Sequence, residues 1–140
     1  MKIIIYGINY APEEVGIGKY SSELADWLAS KGNEIKVITA CPYYPNWSVK
    51  KNKYFQEKIN LVNVQRCPLW VPQKPSGIKR LMHLASFALT SLPILLFSKR
   101  YKADLIITIA PSLLCAAGSI LFKIFNKKTK SWIHIQDFEL

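Results

Sequence analysis

The sequence has 140 residues, of which 50% are hydrophobic and 12% aromatic, enough apolar material for the core of one domain. This composition excludes a disordered basic tail, and three cysteines are too few for a disulfide-dense secreted scaffold. Nineteen Lys and Arg against nine Asp and Glu give a formal net charge of +10. We therefore expect one globular domain that works in a reducing compartment.

The excess positive charge is concentrated in one part of the chain. Residues 1–34 carry three Lys and five acidic residues, whereas residues 35–136 carry 16 basic residues against Glu57 and Asp104. A one-sided basic region favours an anionic partner, namely phospholipid, a phosphate-bearing substrate or nucleic acid. A solubilising surface would have the same composition.

The N-terminus lacks the pattern of a signal peptide, because Met1–Tyr10 has a short apolar run and no small-residue cleavage site. Two uncharged windows of 18 residues, Leu81–Ser98 and Leu105–Phe122, are at the lower limit for a membrane span. Since polar residues and Pro interrupt both windows, we expect neither to cross a membrane.

The first third of the chain predicts a strand, a helix and a second strand. Lys2–Ile8 is a continuous apolar run of the kind found in strands buried on both faces of a parallel sheet. Residues 9–18 form a loop, and Lys19–Ser30 has apolar side chains at helical spacing that Gly32 ends. Glu34–Ala40 predicts the second strand.

The middle of the chain is less regular. Residues 42–58, rich in Pro, aromatic residues and Lys, predict an exposed loop or a short irregular helix. Leu61–Arg66 predicts a third, weaker strand. A long helix then starts at Ser76 or Gly77 and runs to about Ser98, with a kink expected at Pro93.

The last third again alternates strand and helix. Ala103–Ile109 predicts a strand, a helix opens at Pro111 and runs to about Asn126, and Ser131–Gln136 predicts the last strand. Strands that alternate with helices of this length predict an α/β fold with a parallel, doubly wound sheet.

Ligands of open parallel sheets bind outside the carboxyl ends of the strands, which here means loops 9–18, 110–112 and 136–139. In the first loop Gly16, Ile17 and Gly18 stand just before a helix, where backbone N–H groups can approach a phosphate, and Lys19 could add a positive charge. The alternative is a tight turn that needs glycine for a positive φ.

The loop after the last strand offers a carboxylate. Asp137 could act on a substrate hydroxyl or hold a positive group, and the alternative is that it caps a following helix. Gln136 precedes it and alternates with Trp132 and His134 along the strand. We expect His134 and His83 to be packed or surface residues rather than bases.

The spacing of the cysteines and histidines makes a structural zinc site improbable, since there is no CxxC. An aromatic and basic segment could stack sugars or bases or meet a bilayer surface, and the alternative is a loop that its aromatics fold onto the domain. That segment comprises Tyr43, Tyr44, Trp47, Tyr54 and Phe55, interleaved with Lys50, Lys51 and Lys53.

Four long segments, in order along the whole chain, resemble the N-terminal domain of family 4 glycosyltransferases. The similarity is greatest to the branch that makes colanic acid and O-antigen polysaccharide, and the segments are YGINYAPEEVGIGKY, ITACPYYPNW, RCPLWVPQKPSGIKRLMHLASF and IHIQDFEL. The resemblance implies a GT-B fold, in which two Rossmann-like domains face each other across a cleft. It further implies a retaining sugar transfer that needs no cofactor and no metal.

The resemblance also implies roles for particular residues. The glycine turn Gly16, Ile17 and Gly18 would meet the diphosphate of the donor. The loop after the last strand has His-Asp near the reacting sugar in the family, whereas this chain has Gln136-Asp137, so only Asp137 carries over directly. The family's acidic residue before Pro111 is replaced here by Ala110.

Residues 1–140 correspond to the acceptor-binding half alone, so we expect the donor-binding domain to be missing. The chain would then be a fragment, a truncated reading frame or one half of a split enzyme that uses a separate donor-binding partner. Transfer needs donor and acceptor aligned together, so we expect little or no activity from this chain by itself.

The expected partners are a nucleotide sugar, a lipid-linked glycan acceptor and an anionic membrane surface, with the protein cytoplasmic and peripheral at the inner face of the plasma membrane. The alternative is an inactive or accessory membrane-associated subunit that binds the acceptor. We expect no nucleic-acid partner, because the sequence has no recognition helix, RNP-type strand or zinc spacing. A dehydrogenase is disfavoured because GxGxxG is missing after the first strand.

Overall fold

The structure is a computed structural model that describes residues 1–110 and 113–136, with only the backbone of Leu113. These residues form six strands and three α-helices. They are β1 (Lys2–Tyr6), α1 (Gly16–Ser30), β2 (Glu34–Ala40), β3 (Phe55–Ile59), β4 (Val62–Cys67), α2 (Gly77–Phe97), β5 (Leu105–Ala110), α3 (Leu113–Phe125) and β6 (Lys130–Ile135), with a 3₁₀ turn at Ser98–Tyr101.

The strands form one sheet in the order β3-β4-β2-β1-β5-β6, and every pairing except that of β3 with β4 is parallel. The predicted α/β class and parallel sheet are therefore confirmed. The strand order reverses at β1, since β2 pairs on one side of it and β5 on the other. Such a reversal is where open α/β sheets leave a crevice for ligands.

Side chains alternate between two cores, one on each face of the sheet. On one face Ile3 and Ile5 of β1 pack with Ala25 and Ala29 of α1. On the other face Ile4 and Tyr6 of β1 pack with α2 and α3, whose buried side chains include Phe87, Leu95 and Phe122. The crossover helices thus cover both faces, as the hydrophobic runs of the central strands require.

The prediction of a loop over residues 42–58 is wrong at its end. Phe55–Ile59 forms an antiparallel edge strand that pairs with β4 from Phe55↔Arg66 to Ile59↔Val62. Its middle residues Gln56, Glu57 and Lys58 are exposed, so the strand lacks the apolar pattern that would have revealed it. Pairing with β4, and not burial, determines its conformation.

One helix boundary also differs from prediction. Helix α1 begins at Gly16 and not at Lys19, so the glycine turn is its first turn. Helix α2 runs from Gly77 to Phe97, which confirms the predicted bounds, and it continues past Pro93, which is exposed. The predicted opening of α3 at Pro111 lies outside the described residues.

By length and composition alone, one helical segment among the described residues, Gly77–Tyr101, is apolar enough to cross a membrane. In this structure one side of it packs on the sheet, where Leu84, Phe87 and Leu95 are buried. Its other side leaves a row of apolar side chains exposed, including Ile78, Leu89 and Phe97.

Candidate functional site

A cleft of about 880 Å³ opens at the carboxyl edge of the sheet. Three segments that each follow a strand end line it. The loop after β1 and the first turn of α1 supply Asn9 and residues 15–18, the loop after β2 supplies Tyr43, Tyr44 and Trp47, and the start of α2 supplies residues 75–77, Arg80 and His83. The cleft thus lies outside the carboxyl ends of β1, β2 and β4, the edge at which open parallel sheets bind ligands.

The glycine turn forms one wall of the cleft. Gly16 has a φ of +57°, a left-handed conformation that favours glycine. A Cβ added to Gly18 would lie 2.7 Å from the Cβ of Glu13 and 3.0 Å from its carbonyl oxygen. The segment is therefore a tight turn in which glycine is needed for a positive φ, and it is also the first turn of helix α1.

The start of α1 offers backbone donors to the cleft. Val15 precedes the helix with an extended backbone, and it makes no side-chain capping hydrogen bond. The N–H groups of a first helical turn have no partner within the helix, and they attract anions. Lys19 points elsewhere, since its ammonium lies 3.9 Å from the Glu23 carboxylate on an exposed face.

Glu13 joins the loop after β1 to the loop after β2. Its carboxylate accepts hydrogen bonds from Asn9 Nδ2 at 2.8 Å and from the backbone N–H groups of Tyr43 at 3.2 Å and Tyr44 at 3.1 Å. Burial raises the pKa of this carboxyl, and these three donors partly offset the shift. This role could not be predicted from the sequence, because Glu13 stands beside Glu14 in a segment with the pattern of a polar loop.

His83 lies in the wall that α2 contributes, with only 2% of its surface exposed. Its Nδ1 is 2.6 Å from the carbonyl oxygen of Trp70, and its ring packs against the rings of Tyr43 and Trp47 at centroid distances of 4.5 and 5.3 Å. Burial lowers the pKa of the imidazole, as does the nearby Arg80 guanidinium. The prediction of a packed histidine is correct, and the structure adds that it is packed beside the cleft.

The aromatic and basic segment folds onto the domain, and part of it lines the cleft. Tyr43 is buried, and Trp47 lies between its ring and the Arg80 guanidinium, whose Cζ is 6.0 Å from the indole centroid. Tyr44 also lines the cleft but is exposed. Farther along, the Tyr54 hydroxyl donates to the carbonyl oxygen of Thr90 on α2.

The structure does not bring Gln136 to the cleft lining. Its backbone follows β6, and its side-chain Oε1 is buried without a hydrogen-bond partner among the described residues. Asp137 lies outside the described residues, so its catalytic role stays a prediction. His134 stands on the same strand face as Trp132, with ring centroids 6.4 Å apart.

The described residues contain no group of three or more His, Cys, Asp or Glu that could hold a metal ion. Cys41, Cys67 and Cys115 are buried thiols. Burial raises the pKa of Cys67 to about 12 and also raises that of Cys41, which makes both poor nucleophiles.

No family model matches the sequence. The chain is 49% identical over 145 aligned residues to the colanic acid biosynthesis glycosyl transferase WcaI of Escherichia coli (strain K12), an alignment that covers 100% of this chain and 35% of that protein. The chain thus spans about a third of the length of this relative. The resemblance stated from the motifs is confirmed.

The fold matches the catalytic domain of starch synthase IV from Arabidopsis thaliana, which was solved bound to ADP and acarbose. The TM-score is 0.72 over 96% of this chain and 34% of that one, at 16% sequence identity. That likeness establishes the fold alone, namely a Rossmann-like domain of the GT-B type.

Proposed function

We propose that this chain, which is 49% identical to the colanic acid glycosyl transferase over its whole length and has a GT-B type fold, is the acceptor-side part of a sugar transferase. The reaction moves a sugar from a nucleotide-sugar donor to a lipid-linked glycan acceptor during synthesis of a bacterial surface polysaccharide. The observation that carries the proposal is the cleft at the carboxyl edge, where an uncapped helix start faces an aromatic wall.

The first turn of α1 is the donor side of this half-site. Its backbone N–H groups bind the diphosphate of the nucleotide sugar, and Gly16, at a φ of +57°, gives the turn its left-handed conformation. In this proposal Asp137 acts at the reacting sugar, a role that the resemblance to the family implies. The transfer is retaining and uses no metal, since the helix start supplies the charge stabilisation that a cation would otherwise supply.

The other wall of the cleft belongs to a donor-binding part. The chain covers 35% of the length of its relative. A sugar transferase must hold donor and acceptor aligned with each other for the reaction. Such alignment contributes up to about 7–11 kcal/mol of barrier reduction. The chain alone is therefore inactive in this proposal and acts with donor-binding residues of the same or a separate polypeptide.

The acceptor is lipid-linked, so the protein works at the cytoplasmic face of the plasma membrane. The exposed row on α2 contains Ile78, Leu89 and Phe97, which are 77%, 72% and 81% exposed. Basic residues flank this row at both ends of the helix, namely Lys79, Arg80, Lys99, Arg100 and Lys102. Apolar contact plus about 1 kcal/mol per basic residue near an anionic surface would hold α2 in the interface.

A second candidate function is an accessory subunit that binds the acceptor and contributes no catalysis. The replacement of the family's His by Gln136 before Asp137 favours it. The two candidates differ in one outcome, which is whether this chain supports transfer once a donor-binding part is supplied.

A chimera tests the proposal in cells. The matching region of the Escherichia coli relative is replaced by this chain, and the chimera is expressed in a strain that lacks the relative. We expect colanic acid production to return with the chimera and not with the chain alone. Production with the chain alone would contradict the half-site, and a folded chimera without production would favour the accessory subunit.

A further inference from the structure

The two edges of the sheet differ in composition. β3 forms one edge, and its exposed residues 56–58 are Gln, Glu and Lys. β6 forms the other edge, where Trp132, Ile133 and Ile135 are 48–58% exposed. Charged side chains protect an edge strand from pairing with other chains, and beyond Lys130 at its start β6 has none.

Trp132 and Ile133 lie on opposite faces of the sheet, and both are exposed. Trp132 pairs with Ile107, whose side chain belongs to the core that α1 covers. Ile133 pairs with Thr108, which is hydrogen-bonded to Ser119 of α3, so it lies on the other face. A strand with apolar side chains on both faces is typical of the interior of a parallel sheet and not of its edge.

The outer side of β6 also presents backbone groups that pair with no strand among the residues described. The N–H of Lys130 donates to the carbonyl oxygen of Asp104, beside β5, at 2.9 Å. Because alternate residues of a strand bond to the same neighbour, the N–H groups of Ser131, Ile133 and Ile135 point away from β5. This side of β6 is therefore a template for one further strand.

We propose that β6 is an interior strand of a larger sheet, and that its outer side binds a further β-strand. That strand belongs to the part of the polypeptide that corresponds to the relative's residues outside the alignment. The alignment covers 35% of the relative, so most of that protein lies outside the part that matches this chain. The inference goes beyond the proposed function, because it concerns the completion of this sheet and not the cleft.

A second copy of this chain fits the edge poorly. Two copies joined at β6 would leave both Trp132 side chains uncovered, because α1, the helix on that face, packs on β2 and β4. Each copy also has a net charge of +10, and two copies would repel each other. The lysines nearest the edge are Lys123, Lys127, Lys128 and Lys130.

A bilayer fits the edge no better. A membrane surface contacts one side of a protein, whereas Trp132 and Ile133 lie on opposite faces of the sheet. Hydrocarbon would also leave the N–H groups on the outer side of β6 without acceptors. A strand supplies those acceptors, and the observations therefore favour a strand.

Amide hydrogen exchange, measured at residue resolution by mass spectrometry, tests the inference. In the monomeric chain alone we expect the N–H groups of Ser131, Ile133 and Ile135 to exchange freely, and that of Trp132, which points to β5, to exchange more slowly. In the chimera that carries the relative's remaining residues, exchange at the first three should slow by at least about ten-fold. Residues 56–58 of β3 are the internal control and should exchange alike in both proteins.

Three results would overturn the inference. They are slow exchange at these three amides in the monomeric chain, slow exchange that appears only at high chain concentration or with vesicles, and free exchange in the folded chimera. If the chimera does not fold, the same measurement on the relative itself, at the residues aligned with β6, carries the same expectation and the same contradiction.

Two variants separate strand pairing from side-chain contact. Ile133→Pro removes an N–H from the outer side of β6, where proline is tolerated in an edge strand, whereas Ile133→Ala keeps that N–H. In the chimera we expect Ser131 and Ile135 to exchange at least about ten-fold faster in Ile133→Pro than in Ile133→Ala. In the chain alone the two variants should exchange alike at these residues. Equal exchange of the two variants in the chimera overturns the inference.

The chimera also keeps this inference distinct from the proposed function, because exchange and sugar transfer are measured separately. Slow exchange at β6 without transfer would support the added strand and contradict the transferase. Transfer with free exchange at β6 would support the transferase and overturn the added strand.

Discussion

Gly18 lies directly against Glu13 in the turn after β1, where a Cβ on the glycine would be only 2.7 Å from the Glu13 Cβ. The glycine lets the first turn of α1 lie directly on the loop, and the Glu13 carboxylate then reaches across to the backbone of Tyr43 and Tyr44. One residue without a side chain therefore positions both the helix start and the aromatic wall.

Replacing Gly18 should damage the fold of the cleft. In Gly18→Ala the new Cβ meets the Glu13 Cβ at 2.7 Å and its carbonyl oxygen at 3.0 Å, and backbone must move. We expect a loss of about 1–3 kcal/mol in the free energy of unfolding, measured by urea denaturation. The matched control is Gly77→Ala at the start of α2, where a Cβ meets nothing within 4 Å. A control as damaging as Gly18→Ala would contradict the contact argument.

The buried imidazole of His83 should make stability depend on pH. Its folded pKa lies below the ordinary value of 6.5, so the unfolded chain takes up the proton first as the pH falls. The free energy of unfolding then decreases from about pH 6.5 down to the folded pKa. We expect a smaller decrease in His83→Asn, measured by urea denaturation at about pH 7.5 and about pH 5.5.

The raised pKa of Glu13 affects the free energy of unfolding in the opposite direction. As the pH falls, the folded state takes up this proton before the unfolded chain does, and this raises the free energy of unfolding. Because both chains contain Glu13, its contribution cancels in the comparison. Equal pH dependence in the two chains would mean that His83 is not held neutral by the fold.

At the scale of the elements, the sequence predicts most of the fold because the central strands are continuous apolar runs and the helices have apolar periodicity. The sequence does not predict β3, because its exposed residues Gln56, Glu57 and Lys58 show no apolar alternation. Backbone pairing with β4 alone determines the extended conformation of this strand. The sequence predicts the start of helix α1 at Lys19 instead of Gly16, because Gly16 and Gly18 are residues typical of loops.

The candidate site was only partly predictable for a similar reason. Gly16–Gly18 were found because glycine before a helix is a local signal. Glu13 and His83 matter through contacts with residues 30 positions or 13 positions away in sequence, and nothing local marks them.

Arg66 is a buried charged residue that links β4 to β3, to the end of β2 and to the loop after β1. Its guanidinium is fully buried, contacts Glu57 of β3 at 2.7 Å, and donates to the carbonyl oxygens of Ala40 and Ala11. Removing it should cost about 1–3 kcal/mol for each buried carbonyl oxygen that loses its donor. Lysine cannot reproduce the planar fork, so we expect Arg66→Lys to recover little.

Urea denaturation of Arg66→Leu, Arg66→Lys and Glu57→Gln measures this contribution. Glu57 is partly exposed, and water can replace it, so its substitution should cost clearly less than the loss of Arg66. An Arg66→Leu chain as stable as the parent would show that packing compensates for the lost network.

At the scale of the whole molecule, apolar and basic surface coincide on the outer side of α2. The chain should therefore bind sedimenting vesicles that contain phosphatidylglycerol more strongly than vesicles of phosphatidylcholine alone. Binding should weaken as salt rises, because screening removes the electrostatic part. Salt-independent binding would indicate insertion of the helix instead.

Two exposed apolar residues serve as test and control in the same assay. Phe97→Gln removes a side chain from the α2 row, and Leu61→Gln removes one from the turn between β3 and β4, where it is 65% exposed. We expect reduced vesicle binding only for Phe97→Gln. Equal losses would contradict the assignment of α2 as the membrane face.

The central claim is that this fold supplies half of a sugar-transfer site and needs a donor-binding part to act. The most direct measurement is transfer of radiolabelled sugar from a mixture of nucleotide sugars into the lipid fraction of acceptor-containing membranes. It compares the purified chain with the chimera that carries the relative's remaining residues. We expect label in the lipid fraction with the chimera and background with the chain alone, whereas robust transfer by the chain alone would show that no donor-binding part is needed.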